Sequence, residues 1–212
     1  MACEYYHHKI SAFHPGNLRN VKRIVALVAL LLIPISSSHA VDIPVICADK
    51  ISYELRTSNV INQCLESELS LGEGPIAYSL TAPKTLNSTL EVRFLSAQAA
   101  AKRDGVALDI TSGYRTLARQ SELFKRALRK YGSYKEAAKW VSPPGISHHP
   151  LGLAIDVNYP NDPKGAKWLE IHGYKFGLCR VFENEWWHFE GNIAPGWKCP
   201  KMFKDARAFL KS

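Results

Sequence analysis

Apolar positions recur at helical spacing over residues 86–103, where Leu90, Phe94, Ala97 and Ala101 fall on one face. Asp104-Gly105 is a stop signal for that helix. VALDITSGYR, residues 106–115, changes to a strand pattern that runs into a loop. Leu117, Leu123, Phe124 and Leu128 mark a second amphipathic helix over 117–130, and SYKEAAKWV, 133–141, a short third one. SPPG at 142–145 breaks the helical pattern. GLAIDV, 152–157, is strand-like, KGAKWLEIHGYKFG, 164–177, is a helix closed by glycines, and LCRVF with EWWHFE reads as a final hairpin. Residues 41–75 are polar and irregular, with Gly72 and Gly74 marking a turn. This order predicts an α+β fold, a small and largely antiparallel sheet flanked by helices. No internal repeat is visible.

The N-terminal pattern is of another kind. Arg19, Lys22 and Arg23 precede the twelve-residue apolar run Ile24–Ile35, and Ser38-His39-Ala40 follows as a small-x-small cleavage site. Twelve residues fall short of the roughly 20 that a spanning helix needs, so an export signal is expected rather than a membrane anchor. The first twenty residues do not resemble a signal, and translation starting near Val21 is an expectation. The chain is thus divided into 1–40, extension and signal; 41–84, an N-terminal arm; and 85–212, a single main domain. No stable membrane span is expected after cleavage, and a monomer is expected.

The 212 residues carry a formal charge of +8, with 46% hydrophobic and 22% charged residues, an ordinary globular composition. Beyond residue 40 there are 23 basic and 18 acidic residues, a net +5. No basic run or basic-aromatic repeat accompanies this charge, which argues against nucleic acid as a partner. A mild positive balance suits an anionic polymer such as a bacterial cell wall. Cys47, Cys64, Cys179 and Cys199 remain after residue 40, an even number suited to an oxidising compartment. Of three connectivities, Cys47–Cys64 with Cys179–Cys199 closes the shortest loops and is favoured. No CxxC pair is present, which argues against zinc on these cysteines.

One acid, Asp156, sits in the apolar run after SHHP, and burying it requires a partner. Backbone amides would serve. A metal would also serve, held by Asp156, one of His148 and His149, and His188 in EWWHFE. In an extended strand Gly152, Ala154 and Asp156 share a face, and two small residues leave room beside the acid. Glu185 precedes His188 by three, so the pair would face opposite sides of a regular strand. Glu185 is therefore expected in the loop entering the strand, where a general base for an activated water belongs. Glu183 and Glu190 read as surface residues of the hairpin, and His172 as a helix-end or surface residue. In SGYRT, Gly113 is expected to permit an unusual turn, and Arg115 to offer a guanidinium to a carboxylate or developing oxyanion.

These three segments together resemble the zinc D-alanyl-D-alanine carboxypeptidase/dipeptidase family, the VanY-type (LAS-type) metallopeptidases of bacterial cell-wall metabolism, which share a fold with the hedgehog signalling domain. The family pattern is SGYR, then S-x-H-x-x-G-x-A-x-D, then E-x-W-H, and Ser112–Arg115, Ser147–Asp156 and Glu185–His188 match it throughout. The resemblance spans about residues 85–192. It implies one zinc ion on His149, Asp156 and His188, with His148 at a variable position. It further implies Glu185 as catalytic base, Arg115 as the group that stabilises the oxyanion, and Ser147 and Gln120 lining the substrate site. Trp187 is expected to pack, with its ring able to floor the pocket.

The activity implied is hydrolysis of the D-Ala-D-Ala ends of peptidoglycan stem peptides, in the periplasm or at the cell exterior of a bacterium. Alternatives are an endopeptidase cutting an internal bond such as L-Ala-D-Glu, and a zinc-stabilised wall-binding module without catalysis. The short segment from Gly177 to Glu185 departs from typical carboxypeptidases and leaves the substrate register open.

Overall fold

The computed structural model describes residues 45–58, 64–77, 79 and 82–211. The expected signal segment and translation start lie outside them. Eleven strands and α-helices follow in chain order: β1 (Val45–Asp49), β2 (Leu55–Ser58), β3 (Glu68–Ser70), α1 (Ser88–Arg103), β4 (Ile110–Ser112), α2 (Leu117–Tyr131), α3 (Tyr134–Trp140), β5 (Ala154–Val157), α4 (Pro163–His172), β6 (Cys179–Arg180) and β7 (His188–Glu190). Short 3-10 turns occupy His149–Leu151, Gly173–Phe176 and Ala206–Lys211. The architecture is α+β, and every strand pairing is antiparallel, apart from an isolated parallel bridge between Phe182 and Phe203.

The central sheet has the order β4-β5-β7-β6. Register pairs Ile155 with Phe189 and Asp156 with His188. Strand alternation then separates the two faces. Ile155, Val157 and Phe189 turn to one side and join Leu90, Phe94, Ala97 and Ala101 of α1 and Ala166 and Leu169 of α4 in the main core. Asp156, His188 and Glu190 turn to the other side, and that face carries the polar chemistry. The helices obey ordinary rules. Asn87 caps α1 by accepting from the Thr89 and Leu90 amides, and Lys102 and Arg103 sit in its last turn. Thr116 caps α2, which ends on Gly132 in the left-handed region. Phe124, Ala127, Ala137 and Ala138 pack α2 against α3 in a second cluster.

Three expectations are revised. Residues 45–70 are not simply irregular: they include a second sheet of order β2-β1-β3, and Ala48 and Leu71 enter the main core. Gly152 does not share a strand face with Ala154 and Asp156; it ends the 3-10 turn in the left-handed region. A Cβ at Gly152 would stand 2.6 Å from the Thr85 carbonyl oxygen, so the glycine serves a close backbone approach and not space beside the acid. Gly113 is not in the left-handed region either, and the turn after β4 needs no glycine on that ground.

Arg93 is fully buried on α1. Its guanidinium donates to the carbonyls of Leu71 (2.7 Å), Gly74 (2.7 Å), Ile193 (2.8 Å), Gly177 (3.3 Å) and Gly191 (3.4 Å). It thereby joins the loop after β3, the turn before β6 and the loop after β7. The favoured disulfides, Cys47–Cys64 and Cys179–Cys199, are both present.

Candidate active site

The polar face of the sheet opens into a cavity of about 360 Å³. Its apolar wall includes Leu123 of α2, Trp140 of α3, Tyr159, Phe182, Trp187 and Phe209. Trp187 lies 4.2 Å from the Tyr159 ring and, as its position in EWWH allowed, forms part of the lining.

His149, Asp156 and His188 are all buried, and one candidate ligand atom from each lies within 4.8 Å of the others. His149 Nε2 and His188 Nδ1 each stand 3.2 Å from Asp156 Oδ1. The second nitrogen of each ring is already engaged. His149 Nδ1 donates to the Gly113 carbonyl at 2.7 Å, which fixes the tautomer that leaves Nε2 toward Asp156. This role of SGYR was not foreseen: the glycine contributes its carbonyl. His188 Nε2 lies 3.0 Å from Glu190 Oε1. Burial holds the His149 pKa below the ordinary histidine value, against the pull of Asp156. Burial alone would raise the Asp156 pKa, but His149 and His188 outweigh it and hold the acid ionised.

Arg115 occupies the other side of Asp156. Its Nη2 pairs with Asp156 Oδ2, its Nε donates to Ser112 Oγ at 2.8 Å, and its Nη1 to Gln120 Oε1 at 3.3 Å. Gln120 is buried and also donates to the Ser142 carbonyl at 2.7 Å. Gln120 and Ser147 both line the cavity, but the contacts of Gln120 show it bracing Arg115. Glu185 lies outside β7, in the loop entering it, and is 7% exposed. Its Oε2 is 4.0 Å from His188 Nδ1. Burial pushes its pKa up to about 7, helped by Asp156 and Glu190 and opposed by His188 and Arg115.

Glu190 is the clearest departure from the sequence expectation. It is 6% exposed and lines the cavity; it is not a surface residue of the hairpin. His148, at a variable position of the family pattern, also lines the cavity, with its ring stacked 5.8 Å from Phe209.

The donor set fits a divalent transition metal. Asp156, Glu185 and Glu190 bring three carboxyl groups to a cavity whose lining contains one lysine or arginine among the described residues, Arg115. Two imidazoles and a carboxylate are zinc ligands by type and number, with a position left over for water or substrate. Joined to a buried acid and a guanidinium, they make up the inventory of a metallohydrolase site. The family can also be stated: the model of the VanY family, D-alanyl-D-alanine carboxypeptidase, matches residues 83–197, and this chain belongs to that family.

The chain is 33% identical over 112 residues to a D-alanyl-D-alanine carboxypeptidase of Enterococcus faecalis, covering 42% of each. It is 31% identical over 126 residues to the protein YodJ of Bacillus subtilis, covering 50% of this chain and 45% of that protein. The matches thus span less than half the length of these two relatives. Among solved structures, a vancomycin-resistance D,D-pentapeptidase VanY from a VanB-type cassette, in complex with Zn(II), aligns with 28% identity and a TM-score of 0.48 over 55% of this chain and 82% of its own. A complex of VanYB with D-alanine-D-alanine aligns with the same identity and TM-score, over 55% of this chain and 80% of its own.

Among the described residues no helix is long and apolar enough to cross a membrane.

Proposed function

We propose that this chain is a zinc-dependent D-alanyl-D-alanine carboxypeptidase that acts outside the cytoplasm on peptidoglycan stem peptides. The observation that carries this reading is the convergence of His149, Asp156 and His188 with Glu185 poised 4.0 Å from His188 Nδ1. Family membership supplies the substrate class. Two disulfides accord with export.

His149, through Nε2, His188, through Nδ1, and Asp156, through Oδ1, would hold the metal. Bound zinc supplies acidification of a water and polarisation of a carbonyl. Glu185, with its affinity for protons raised by burial, takes the water proton on its carboxylate as the oxygen adds to the scissile carbonyl carbon. It returns that proton to the leaving amine as the C–N bond breaks. Arg115, braced by Ser112 and Gln120, presents guanidinium N–H groups to the negative charge that develops on the carbonyl oxygen.

Mass spectrometry of muropeptides incubated with the protein tests this. Release of a single terminal D-alanine from pentapeptide stems, abolished by chelator and restored by zinc, is expected. Cleavage of stems whose C terminus is blocked would show an endopeptidase instead, and no cleavage of either would overturn a peptidase role.

A further inference from the structure

The sequence places Glu190 two residues after His188, on the same face of β7. Opposite Glu190 in the register stands Ala154, whose methyl group leaves space on that face. The Glu190 side chain lies back along the strand, and both carboxylate oxygens are occupied. Oε1 lies 3.0 Å from His188 Nε2, and Oε2 lies 2.8 Å from His148 Nδ1. A continuous chain of contacts results, from His148 through Glu190 and His188 to Asp156 Oδ1.

The geometry points to Glu190 as the positioning residue that fixes His188 for metal binding, with His148 as the brace that holds Glu190 in turn. This inference rests on the zinc site proposed above. An imidazole has two distinct nitrogens, and the one that carries the proton is set by its hydrogen-bond partner. A carboxylate at Nε2 keeps the proton there, so that Nδ1, on the Asp156 side, is the nitrogen left to bind a metal. The two histidines of the site are therefore held differently. His149 is held by a neutral backbone carbonyl, which orients it. His188 is held by a carboxylate, which orients it and also raises its basicity as a ligand. Both Glu190 carboxylate oxygens are taken up by imidazoles, so its effect passes through His188. His148 acts one step further out and keeps the carboxylate from rotating away.

Removing such an outer partner costs ten- to a hundredfold in metal affinity. The test is the zinc dissociation constant of the full chain, measured by competition with a chromophoric chelator, for wild type, H149A, E190A, E190Q and H148A. Wild type binds one zinc and H149A does not. E190A binds ten- to a hundredfold more weakly than wild type. E190Q, which keeps an acceptor for His188 but loses the charge, falls between the two. H148A is affected less than E190A. Circular dichroism and melting of the metal-free proteins show which variants are folded.

A folded E190A that binds zinc within threefold of wild type overturns the inference and leaves the zinc site standing. A wild type that binds no zinc, or an H149A that binds as well as wild type, overturns the site itself and this inference with it. Should E190A not fold, E190Q decides: weakening of at least threefold supports the role, and wild-type affinity overturns it. A loss in H148A equal to or greater than that in E190A overturns the assignment of the contact between Glu190 and His188 as the one that acts.

Discussion

Replacing Arg93 by methionine removes a buried cation while keeping a side chain of similar length. The cost can be worked from its contacts. Three of its five carbonyl partners, Leu71, Gly74 and Ile193, lie within 2.8 Å, and the other two are at 3.3 Å or beyond and weaker. A buried acceptor left unpaired costs about 1–3 kcal/mol, so three orphaned carbonyls cost about 3–9 kcal/mol. Against this, the variant no longer buries a guanidinium, a relief of several kcal/mol. The Gly74 carbonyl contact is only part-buried and can turn to water. The expected net loss is about 2–4 kcal/mol, what is left of the unpaired-carbonyl cost after that relief. For a domain of this size that lowers the melting temperature by roughly 10 °C. Arg93→Lys, with three donors in place of five, should lose less than Arg93→Met. Urea titrations of the three proteins supply the numbers. A methionine variant within about 1 kcal/mol of wild type, with an unchanged denaturant slope, would refute the reasoning, because it would mean that water or backbone relaxation satisfies those carbonyls.

Three further outcomes are expected. Glu185→Gln should keep zinc and lose 10²- to 10⁴-fold in peptidase rate, whereas His149→Ala should lose both; metal analysis beside D-alanine release separates them, and a fully active Glu185→Gln would rule out the base assignment. Replacing both Cys179 and Cys199 by alanine opens a link between residues 20 apart, which costs about 3 kcal/mol by loop entropy; calorimetry against the oxidised wild type measures it, and a loss below about 1 kcal/mol would count against the entropic account. The metal-free protein should lose stability as pH rises from about 7 towards 10, above the range in which the lowered His149 pKa acts in the opposite sense. Burial disfavours charge on both Glu185 and His188, but hydrogen bonds to Asp156 and Glu190 outweigh it for the histidine, so the folded groups keep their protons to about 7 and about 10 against ordinary values of 4.5 and 6.5. The unfolded chain releases these protons earlier, so the stability they contribute is present below the ordinary values and disappears through the raised ones; a melting temperature in chelator that climbs from pH 7 to 9 would contradict it.

The parts of this molecule that were legible in its sequence are those set by local rules. The stripe of Leu90, Phe94, Ala97 and Ala101 and the stop at Asp104-Gly105 place α1 because period and capping are local. The alternation in AIDV separates the Asp156 side from the core side because a strand has only two faces. SGYR, SHHPLGLAID and EWWH meet in one cavity, and Glu185 does precede its strand. What the sequence did not show depends on distant partners. Arg93 occupies the buried side of α1 between Leu90 and Phe94, but a charged residue reads as solvated until carbonyls from 19 to 100 residues away surround it. Glu190 reads as a hairpin surface residue because its second partner, His148, is 42 positions away. The sheet of β1–β3 has no alternation to detect, since β2 exposes three of its four residues. One signal could have flagged Glu190: it stands at strand parity with His188, a residue already assigned to a buried face.

The lining of the cavity runs from Thr111 to Phe209 in the chain. A ribosome delivers those residues in order, N-terminal parts first. By the time His188 has been made, every side chain proposed to hold metal or move a proton exists, yet Phe182 still lacks its bridge to Phe203, Cys179 its partner Cys199, and the cavity the ring of Phe209. The cleft is completed only when residues 199–209 follow. A chain built in this order holds the groups proposed for chemistry before it holds their enclosure, so synthesis itself separates possession of those groups from the cleft that surrounds them.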